Sequence, residues 1–230
     1  MNNKFTTIGM VVAMDKEVKP FFEKFGSDVQ SFKIGGYDIF SCQIANKKIY
    51  LIKSGIGEIL ASSATQLLIS VYKCDIILNF GVCGSLTDNI SVCETVVVNG
   101  VVHYDFDLSS IDGTKVGEYP NAGGCVIKTN KELLDLALKV DSSLKCVICA
   151  SADKFVADES IKTKLNLDYG AEICDMESAG VLLTANMNNV PTLIIKAVSD
   201  GKGGAEEFNR RVKVASKAYI ETVNKIIELV

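Results

Sequence analysis

The stretch from Cys174 to Asp200 decides how this chain is organised. It reads C-D-M-E-S-A-G-V-L-L-T-A and, three residues later, N-V-P-T-L-I-I-K-A-V-S-D. An acidic cluster leads into a helical run of small and apolar residues, and a predicted strand over 192–198 then ends on Ser199 and Asp200. In an α/β sheet, ligands bind outside the carboxyl ends of the strands. We therefore expect Glu177 and Asp200 to converge on one pocket that the rest of the chain supports.

The composition is that of a globular protein with a large apolar core. The chain has 230 residues, of which 48% are hydrophobic, and we expect a single domain over 1–230. Its net charge of −4 argues against a nucleic-acid partner. No apolar run reaches the roughly 18 residues of a membrane helix, which argues against a membrane partner. Residues 1–4 lead into a strand-like run without a signal-peptide cleavage site, so a soluble, cytoplasmic protein is expected.

The eight cysteines do not form a metal or disulfide pattern. Cys146 and Cys149 make the only C-x-x-C, and in a strand these two side chains point to opposite faces. We interpret the cysteines as reduced, mostly buried thiols that pack as small hydrophobic groups. With a single histidine, His103, a histidine-rich metal site or a Ser-His relay has little material. No metal and no cofactor is predicted.

The order of apolar runs predicts an α/β protein. Continuously apolar or alternating runs predict strands, and helical spacing of apolar residues predicts helices. The strands are expected over 6–13, 31–34, 37–44, 48–53, 74–80, 95–102, 145–151 and 192–198. Further helices are expected over 58–71, 131–140, 160–166 and 206–229. This order predicts a single-domain, three-layer α/β fold with a mixed central β-sheet flanked by helices.

Several residues beyond that stretch are candidates whose role the residues alone leave open. Glu17 follows the carboxyl end of the first strand, but an acidic residue in a first helical turn also suits the helix dipole. Phe155 follows another strand, where an aromatic ring either stacks on a flat ligand or packs in the core. Asp105 and Asp107 lie in a long loop, where solvated carboxylates are the commoner case. The turn at 54–57, S-G-I-G, either binds an anion or hydroxyl or simply joins a strand to a helix.

Six short motifs, taken together, resemble one known superfamily. The chain resembles the nucleoside phosphorylase superfamily and, within it, the methylthioadenosine/S-adenosylhomocysteine nucleosidases. The resemblance extends from about Ile8 to the last helix. The motifs that carry it are V-A-M-D-K-E at 12–17, K-S-G-I-G at 53–57, N-F-G-V-C-G-S-L at 79–86, S-A-D-K-F-V at 151–156, D-M-E-S-A at 175–179 and A-V-S-D at 197–200.

The resemblance implies roles for three carboxyl groups. In the family a base is removed from a ribose through an oxocarbenium-like transition state, with the logic of glycoside hydrolysis. Asp200 would be the general acid that protonates N7 of adenine. Glu17 would position and deprotonate the attacking water. Glu177, beside Met176, would accept hydrogen bonds from the ribose hydroxyls and favour the developing positive charge.

The resemblance also implies a set of substrate-binding residues. Phe155 would stack on the purine, with backbone groups at Phe155 and Val156 reading its edge. Ser199 would orient Asp200, and Ile56 would line the end that holds the 5′ substituent. The segment Val82, Cys83 and Gly84 would complete the binding site.

Two departures from the family's pattern affect these roles. Val82 stands where the nucleosidases commonly carry a serine close to the water. The segment after Asp200 is short and glycine-rich, and Ala205 falls where an aromatic residue normally covers the 5′ group, with Phe208 as a possible replacement. The loop that contains Asp105 follows the family's pattern at the subunit interface. This match implies a homodimer in which Tyr119 and Pro120 would reach the partner's site.

Three functions remain to be distinguished. The first is a hydrolase that converts methylthioadenosine or S-adenosylhomocysteine to adenine and a thioribose, with an aminofutalosine-type nucleoside as a related substrate. The second is a purine nucleoside phosphorylase, against which the scarcity of arginine argues: Arg210 and Arg211 are the only two, and phosphate is usually held by arginines. The third is a non-catalytic nucleoside-binding protein, which would have no need of a proton donor at N7.

Overall fold

The computed structural model describes residues 5–120 and 123–230, so residues 1–4, which were interpreted as leading into the first strand without a signal-peptide cleavage site, lie outside the described residues. Within this part of the chain the strands are β1 Thr7–Val12, β2 Gln30–Ile34, β3 Tyr37–Ile44, β4 Lys47–Lys53, β5 Ile76–Ser85, β6 Thr95–His103, β7 Ile127–Lys128, β8 Lys145–Ser151, β9 Ile173–Asp175 and β10 Thr192–Asp200. The helices are α1 Asp15–Phe25, α2 Glu58–Ser70, α3 Ser109–Asp112, α4 Lys131–Val140, α5 Glu159–Tyr169, α6 Ser178–Met187, α7 Gly204–Ala218 and α8 Ile220–Leu229.

The strands form one mixed sheet that closes on itself at one end. β1 pairs in parallel with β4 and β5, and the antiparallel strands β3 and β2 extend the sheet beyond β4. At the other end β5 pairs in parallel with β10, β10 antiparallel with β6, and β6 in parallel with β8. The short strand β9 lies parallel to β8 and antiparallel to β5, which completes a circuit of five strands. The carboxyl ends of the parallel strands β1, β5 and β10 lie at one edge of the sheet, and the short strand β9 runs antiparallel beside the end of β5 there.

Helices cover both faces of this sheet, as the sequence predicted. α2 and α6 pack together on one face, over a core that contains Val11, Ile52 and Val181. On the other face α7 packs on β10, α1 on α7 and α8 on α4, over a larger core that includes Phe80 and Tyr219. The prediction of a three-layer α/β fold with a mixed central sheet is confirmed.

Three element boundaries were predicted wrongly. β5 does not end at Phe80 but continues to Ser85, because its glycine-containing end is hydrogen-bonded to β10 on one side and β9 on the other. The strand β9 was missed, since three residues are too short for any periodicity. The helix expected over 206–229 is two helices that meet at Tyr219, so that α7 packs against β10 whereas α8 packs against α4.

The cysteines agree with the prediction of free thiols. All eight are free, and Cys74, Cys83, Cys149 and Cys174 are buried. Cys146 is exposed while Cys149 is buried, as expected for opposite faces of a strand. Among the described residues, none of the helices is both long enough and apolar enough to cross a membrane. Over the same ranges, no group of three or more His, Cys, Asp or Glu side chains is arranged to hold a metal ion.

Candidate active site

A cavity of about 310 Å³ lies at the carboxyl ends of β1, β5, β9 and β10. Its lining is mostly apolar but contains the three carboxyl groups that the sequence singled out, Glu17, Glu177 and Asp200. Within residues 5–120 and 123–230, the lining residues are Met14, Glu17, Ile56, Val82, Cys83, Gly84, Phe155, Cys174, Asp175, Met176, Glu177, Ser199, Asp200 and Phe208. Residues far apart in the chain are thus brought together because the strands that carry them end at the same edge.

Glu17 is held in the first turn of α1 by two backbone amides. The Met14 N–H donates to its Oε2 at 2.9 Å, and the Val82 N–H donates to its Oε1 at 2.7 Å. A Cβ atom on Gly81 would lie 2.5 Å from Oε1, so a glycine is required where the carboxyl group meets β5. Burial raises the pKa of Glu17, while the Val82 amide and the charge of Lys196 act in the opposite direction. The site therefore holds this buried carboxyl group in one fixed orientation.

Glu177 immediately precedes α6 and is almost fully buried. The Gly57 N–H, at the start of α2, donates to its Oε1 at 3.2 Å. Burial raises its pKa to about 8, and the neighbouring charge of Asp175 adds to this effect, whereas Lys196 opposes it. The S-G-I-G turn therefore does more than join a strand to a helix, because one of its amides positions a carboxyl group of the cavity.

Asp200 is the last residue of β10 and is 2% exposed. The register of β10 against β5 shifts between Val198 and Asp200, an irregularity of the kind that redirects side chains beside active sites. The Ser199 hydroxyl lies 2.7 Å from Asp200 Oδ1 and 3.1 Å from the Cys83 carbonyl oxygen. Burial raises the pKa of Asp200 to about 6, while the Ser199 hydrogen bond and the charge of Lys162 lower it. Such a carboxyl group can carry a proton close to neutral pH.

A buried ion pair joins Asp175, which lines the cavity, to Lys196, which does not, and the sequence analysis missed this pair. Lys196 Nζ is 2.7 Å from Asp175 Oδ2, and both side chains are at most 2% exposed. The hydroxyl groups of Ser151 and Ser178 also donate to Asp175, and these contacts together with Lys196 lower its pKa against the effect of burial. The signal was present in the sequence, since Lys196 interrupts the otherwise apolar strand T-L-I-I-K-A-V, where lysine is rarely buried without a partner.

A second buried carboxyl group, that of Glu58, was also missed. It accepts a hydrogen bond from the Gly180 N–H, and its own amide donates to Asp153 Oδ1 at 2.7 Å. Its Oε1 also lies within hydrogen-bond distance of the Ser151 hydroxyl, whose single proton can be donated to Glu58 or to Asp175 but not to both at once. Burial, followed by the charge of Asp175, raises the pKa of Glu58 to about 7. Glu58 thereby ties α2 to α6 behind Glu177.

The mouth of the cavity is apolar and more exposed than its floor. Phe155 is 45% exposed and Ile56 is 52% exposed. Phe208, from the first turns of α7, meets Phe155 edge to face with ring centroids 5.8 Å apart. An aromatic side chain is thus present at this rim although Ala205 occupies the place that the resemblance indicated for one.

Not every predicted residue lines the cavity. The Val156 side chain is buried in a separate apolar cluster with Leu86 and Leu165, which leaves only its backbone for the predicted contact with a base. Asp105 and Asp107 lie outside the cavity lining. Asp105 instead contacts His103, at 3.0 Å from Nε2, while His103 Nδ1 lies 2.7 Å from the Tyr119 hydroxyl.

The fold and cavity define a class of α/β protein in which several buried carboxyl groups line one small cavity at the ends of the strands. A family model described as "Phosphorylase superfamily" matches residues 7–228. The 5′-methylthioadenosine/S-adenosylhomocysteine nucleosidase of Haemophilus ducreyi is 30% identical over 200 residues, which is 84% of each chain. The chain therefore belongs to the phosphorylase superfamily and, within it, to the 5′-methylthioadenosine/S-adenosylhomocysteine nucleosidase family.

Two further comparisons extend over nearly the whole chain. The aminodeoxyfutalosine nucleosidase of Campylobacter jejuni is 27% identical over 217 residues, or 93% of each chain. The crystal structure of 5′-methylthioadenosine/S-adenosylhomocysteine nucleosidase from Helicobacter pylori, in complex with a substituted pyrrolidin-3-ol, superimposes with a TM-score of 0.93. It is 26% identical and covers 98% of this chain and 99% of its own. The superfamily and nucleosidase resemblance predicted from the six motifs is confirmed.

Proposed function

We propose that this protein is a hydrolase that cleaves the N-glycosidic bond of 5′-methylthioadenosine and S-adenosylhomocysteine, with adenine and a 5-thioribose derivative as products. The observation that carries the proposal is that Glu17, Glu177 and Asp200 line one cavity in a chain of the nucleosidase family. Glu17 lies in the first turn of α1, Glu177 immediately precedes α6, and Asp200 is the last residue of β10. They can therefore surround a single bond from different sides.

Asp200 acts as the general acid in this proposal. Protonation of N7 turns the adenine anion, a poor leaving group, into a neutral one. When the Ser199 hydroxyl donates to Asp200 Oδ1, the other oxygen, Oδ2, is left to carry the proton into the cavity. The protonated form is needed, and the pKa is about 6, so the fraction of competent enzyme falls as the pH rises through that value.

Glu17 and Glu177 act on the sugar side. Glu17 has its orientation fixed by two amides, and it accepts a proton from the water that attacks C1′. Val82 contributes its backbone N–H to Glu17, a contact that does not require the serine commonly found at this position. Glu177 exchanges hydrogen bonds with the ribose hydroxyls, and the ionised Glu17 carboxylate favours the positive charge that develops on the ring.

Water is favoured over phosphate as the attacking group. Among the residues that the structure describes, no lysine or arginine lines the cavity, and both arginines of the chain are exposed on α7. A phosphate beside an ionised Glu17 would meet a repulsion on the order of 4 kcal/mol per unit charge, at about 4 Å and an effective dielectric constant of about 20. Phosphorolysis is therefore the weaker alternative.

A second candidate substrate is aminodeoxyfutalosine. The relative from Campylobacter jejuni that bears this name aligns with 93% of the chain, a greater share than the Haemophilus relative does. Both substrates present an adenine on a ribose, and they differ at the 5′ position, which would face the exposed Ile56 and the half-buried Phe208.

A substrate panel tests these assignments directly. The purified protein is incubated with methylthioadenosine, S-adenosylhomocysteine, aminodeoxyfutalosine and inosine, each with and without phosphate, and free base is followed by chromatography. We expect adenine from the adenine nucleosides at a rate that does not depend on phosphate. Release of base only when phosphate is added would contradict hydrolysis, and no release from any nucleoside would favour the non-catalytic binding protein.

A homodimer completes the proposed function. Ile59 is 78% exposed and Met187 is 85% exposed, and both line a groove that also includes Tyr119 and Pro120. A second copy covering this groove would bury these apolar side chains and bring the 104–120 loop towards the neighbouring subunit. Light scattering coupled to size-exclusion chromatography should give twice the monomer mass, and Met187→Glu should shift the protein towards the monomer.

A further inference from the structure

Gly201, which follows Asp200, is hydrogen-bonded through both of its backbone groups to side chains of opposite charge. We call this arrangement, formed by Lys162 and Glu207, the Gly201 grip. Lys162 of α5 donates a hydrogen bond from Nζ to the Gly201 carbonyl oxygen. Glu207 of α7 accepts hydrogen bonds at Oε2 from the Gly201 N–H, at 2.9 Å, and from the Gly203 N–H, at 3.3 Å. Both backbone groups of Gly201 are thus fixed by side chains from two different helices.

The burial of Lys162 indicates that this grip is built into the fold. The Lys162 side chain is 2% exposed. Besides the Gly201 carbonyl oxygen, Lys162 Nζ contacts the carboxylate of Glu159, 2.9 Å away on the same helix. An ammonium group is costly to bury unless it is paired and hydrogen-bonded. The burial of Lys162 is therefore explained by its bond to the residue next to the proposed general acid.

Gly203 makes room for the second half of the grip. A Cβ atom at this position would lie 2.6 Å from Glu207 Cβ and 3.0 Å from Glu207 Oε2. Any larger residue would displace the Glu207 carboxylate from the Gly201 amide. This contact gives a physical reason for the glycine-rich segment G-K-G-G that follows Asp200.

The two gripping side chains act in opposite directions on Asp200. The positive charge of Lys162 lowers its pKa and the negative charge of Glu207 raises it, while burial is the largest cause of the upward shift. The Ser199 hydroxyl and the thiols of Cys83 and Cys174, whose pKa values are raised by burial, also lie near Asp200. Lys202, on the same loop, is turned outward and pairs with Asp88 at 2.6 Å.

We propose that Lys162 and Glu207 are positioning residues for Asp200: together they fix the adjoining peptide, and their opposite charges balance the field at its carboxyl group. The inference rests on the proposed function, in which Asp200 delivers a proton to the leaving base. It assigns to α5 and α7 a role in the reaction although neither Lys162 nor Glu207 lines the cavity.

The test is the pH dependence of kcat/KM for methylthioadenosine in paired variants. Lys162→Met should move the alkaline limb of the profile to higher pH, and Glu207→Gln should move it to lower pH, each by on the order of one pH unit. Loss of the fixed peptide should also lower kcat by about tenfold to hundredfold, with a smaller change in KM. Lys162→Arg should restore the position of the limb, because the positive charge is kept.

Two neighbouring variants serve as controls. Lys164→Met removes an exposed lysine of α5 that pairs with Asp168, and Glu206→Gln removes an exposed carboxylate of α7 next to Glu207. Neither should move the limb. Limbs that stay in place in both test variants, or that move in the same direction, would overturn the proposal. If Lys162→Met fails to fold, Glu207→Gln decides the question alone.

A second readout separates this proposal from the proposed function. The carboxyl group of Asp200 is titrated by ¹³C NMR in the wild type and in both test variants, without any substrate. Opposite changes in its pKa in a protein that releases no base would support the grip and contradict the hydrolase. Base release with unchanged titration in both variants would support the hydrolase and overturn the grip.

Discussion

The floor and the rim of the cavity differ in how their side chains are held. On the floor, Glu17 is fixed by two backbone amides and Asp175 by Lys196, and these groups are almost inaccessible to water. At the rim, Phe155 and Ile56 are about half exposed and make mostly apolar contacts. Charged groups fixed in a dry environment act strongly on a transition state, whereas exposed apolar side chains mainly contribute binding area. Floor variants should therefore change turnover, stability and pH dependence, and rim variants should change affinity.

The largest effect is expected for Asp200→Asn. The amide keeps the shape of the carboxyl group but cannot donate an acidic proton, so turnover should fall by about 10⁴-fold. Affinity should stay within about tenfold, because the remaining lining is unchanged. Steady-state kinetics and equilibrium binding measure the two quantities separately, with Asp135→Asn as an exposed control. Nearly normal turnover would remove Asp200 from the role of general acid.

The next effect concerns the stability of the floor. Lys196→Met leaves the Asp175 carboxylate buried without its counterion, and the free energy of unfolding should fall by about 3–5 kcal/mol. The double variant Lys196→Met/Asp175→Leu removes both charges and should recover much of this loss. Urea unfolding followed by circular dichroism gives both values. If the single and double variants had equal free energies of unfolding, the loss in the single variant would not be due to an unpaired Asp175 carboxylate, and the prediction would be wrong.

The sequence predicted the side chains of the cavity better than their supports. Glu17 and Asp200 lie at the ends of strands that could be read from apolar runs, so their convergence followed from the rule for strand ends, whereas Glu177 was placed beside them because it precedes a helix that returns to the sheet. Lys196 was visible as a charge within an apolar strand, but its partner could not be named. Asp175 lies in β9, and a strand of three residues has no pattern of its own.

The same limit applies to contacts that depend on tertiary packing. Phe208 was only a possible replacement for the missing aromatic, because its position depends on where α7 begins after Asp200. Tyr219 was expected as one apolar position of a single long helix. Its buried hydroxyl donates to the Glu17 carbonyl oxygen at 2.9 Å, which links the junction of α7 and α8 to the first helix. Sequence spacing alone carries no information about a contact 202 residues away.

A third, smaller effect is expected in the pH dependence of stability. The pKa of Glu58 is raised from 4.5 to about 7 in the folded state. Between these values the folded protein retains a proton that the unfolded chain has released, so this group makes stability fall as the pH rises. Glu58→Gln should remove that contribution, which amounts to about 2–3 kcal/mol between roughly pH 4.5 and 7.

Unfolding free energies at several pH values check this expectation. The profile of Glu58→Gln should be flatter than that of the wild type over this interval, and the profile of Glu206→Gln, which changes an exposed carboxylate, should match the wild type. A wild-type stability that instead rises from pH 4.5 to 7, with no change on substitution, would show that Glu58 is ionised in the folded protein.

The smallest effect is expected at the rim. Phe155→Ala removes a stacking surface for the base, which is worth about 1–3 kcal/mol in comparable contacts, so KM should rise by roughly tenfold to hundredfold. The Phe155 side chain has no hydrogen-bonding group that could hold a carboxyl group of the floor in place. Its removal should therefore change kcat less than threefold. Phe32→Ala, on the edge strand β2 and 37% exposed, is the matched control and should leave both constants unchanged. A fall in kcat as large as the rise in KM would mean that the ring also orients the base for protonation by Asp200, and the division between floor and rim would then be wrong.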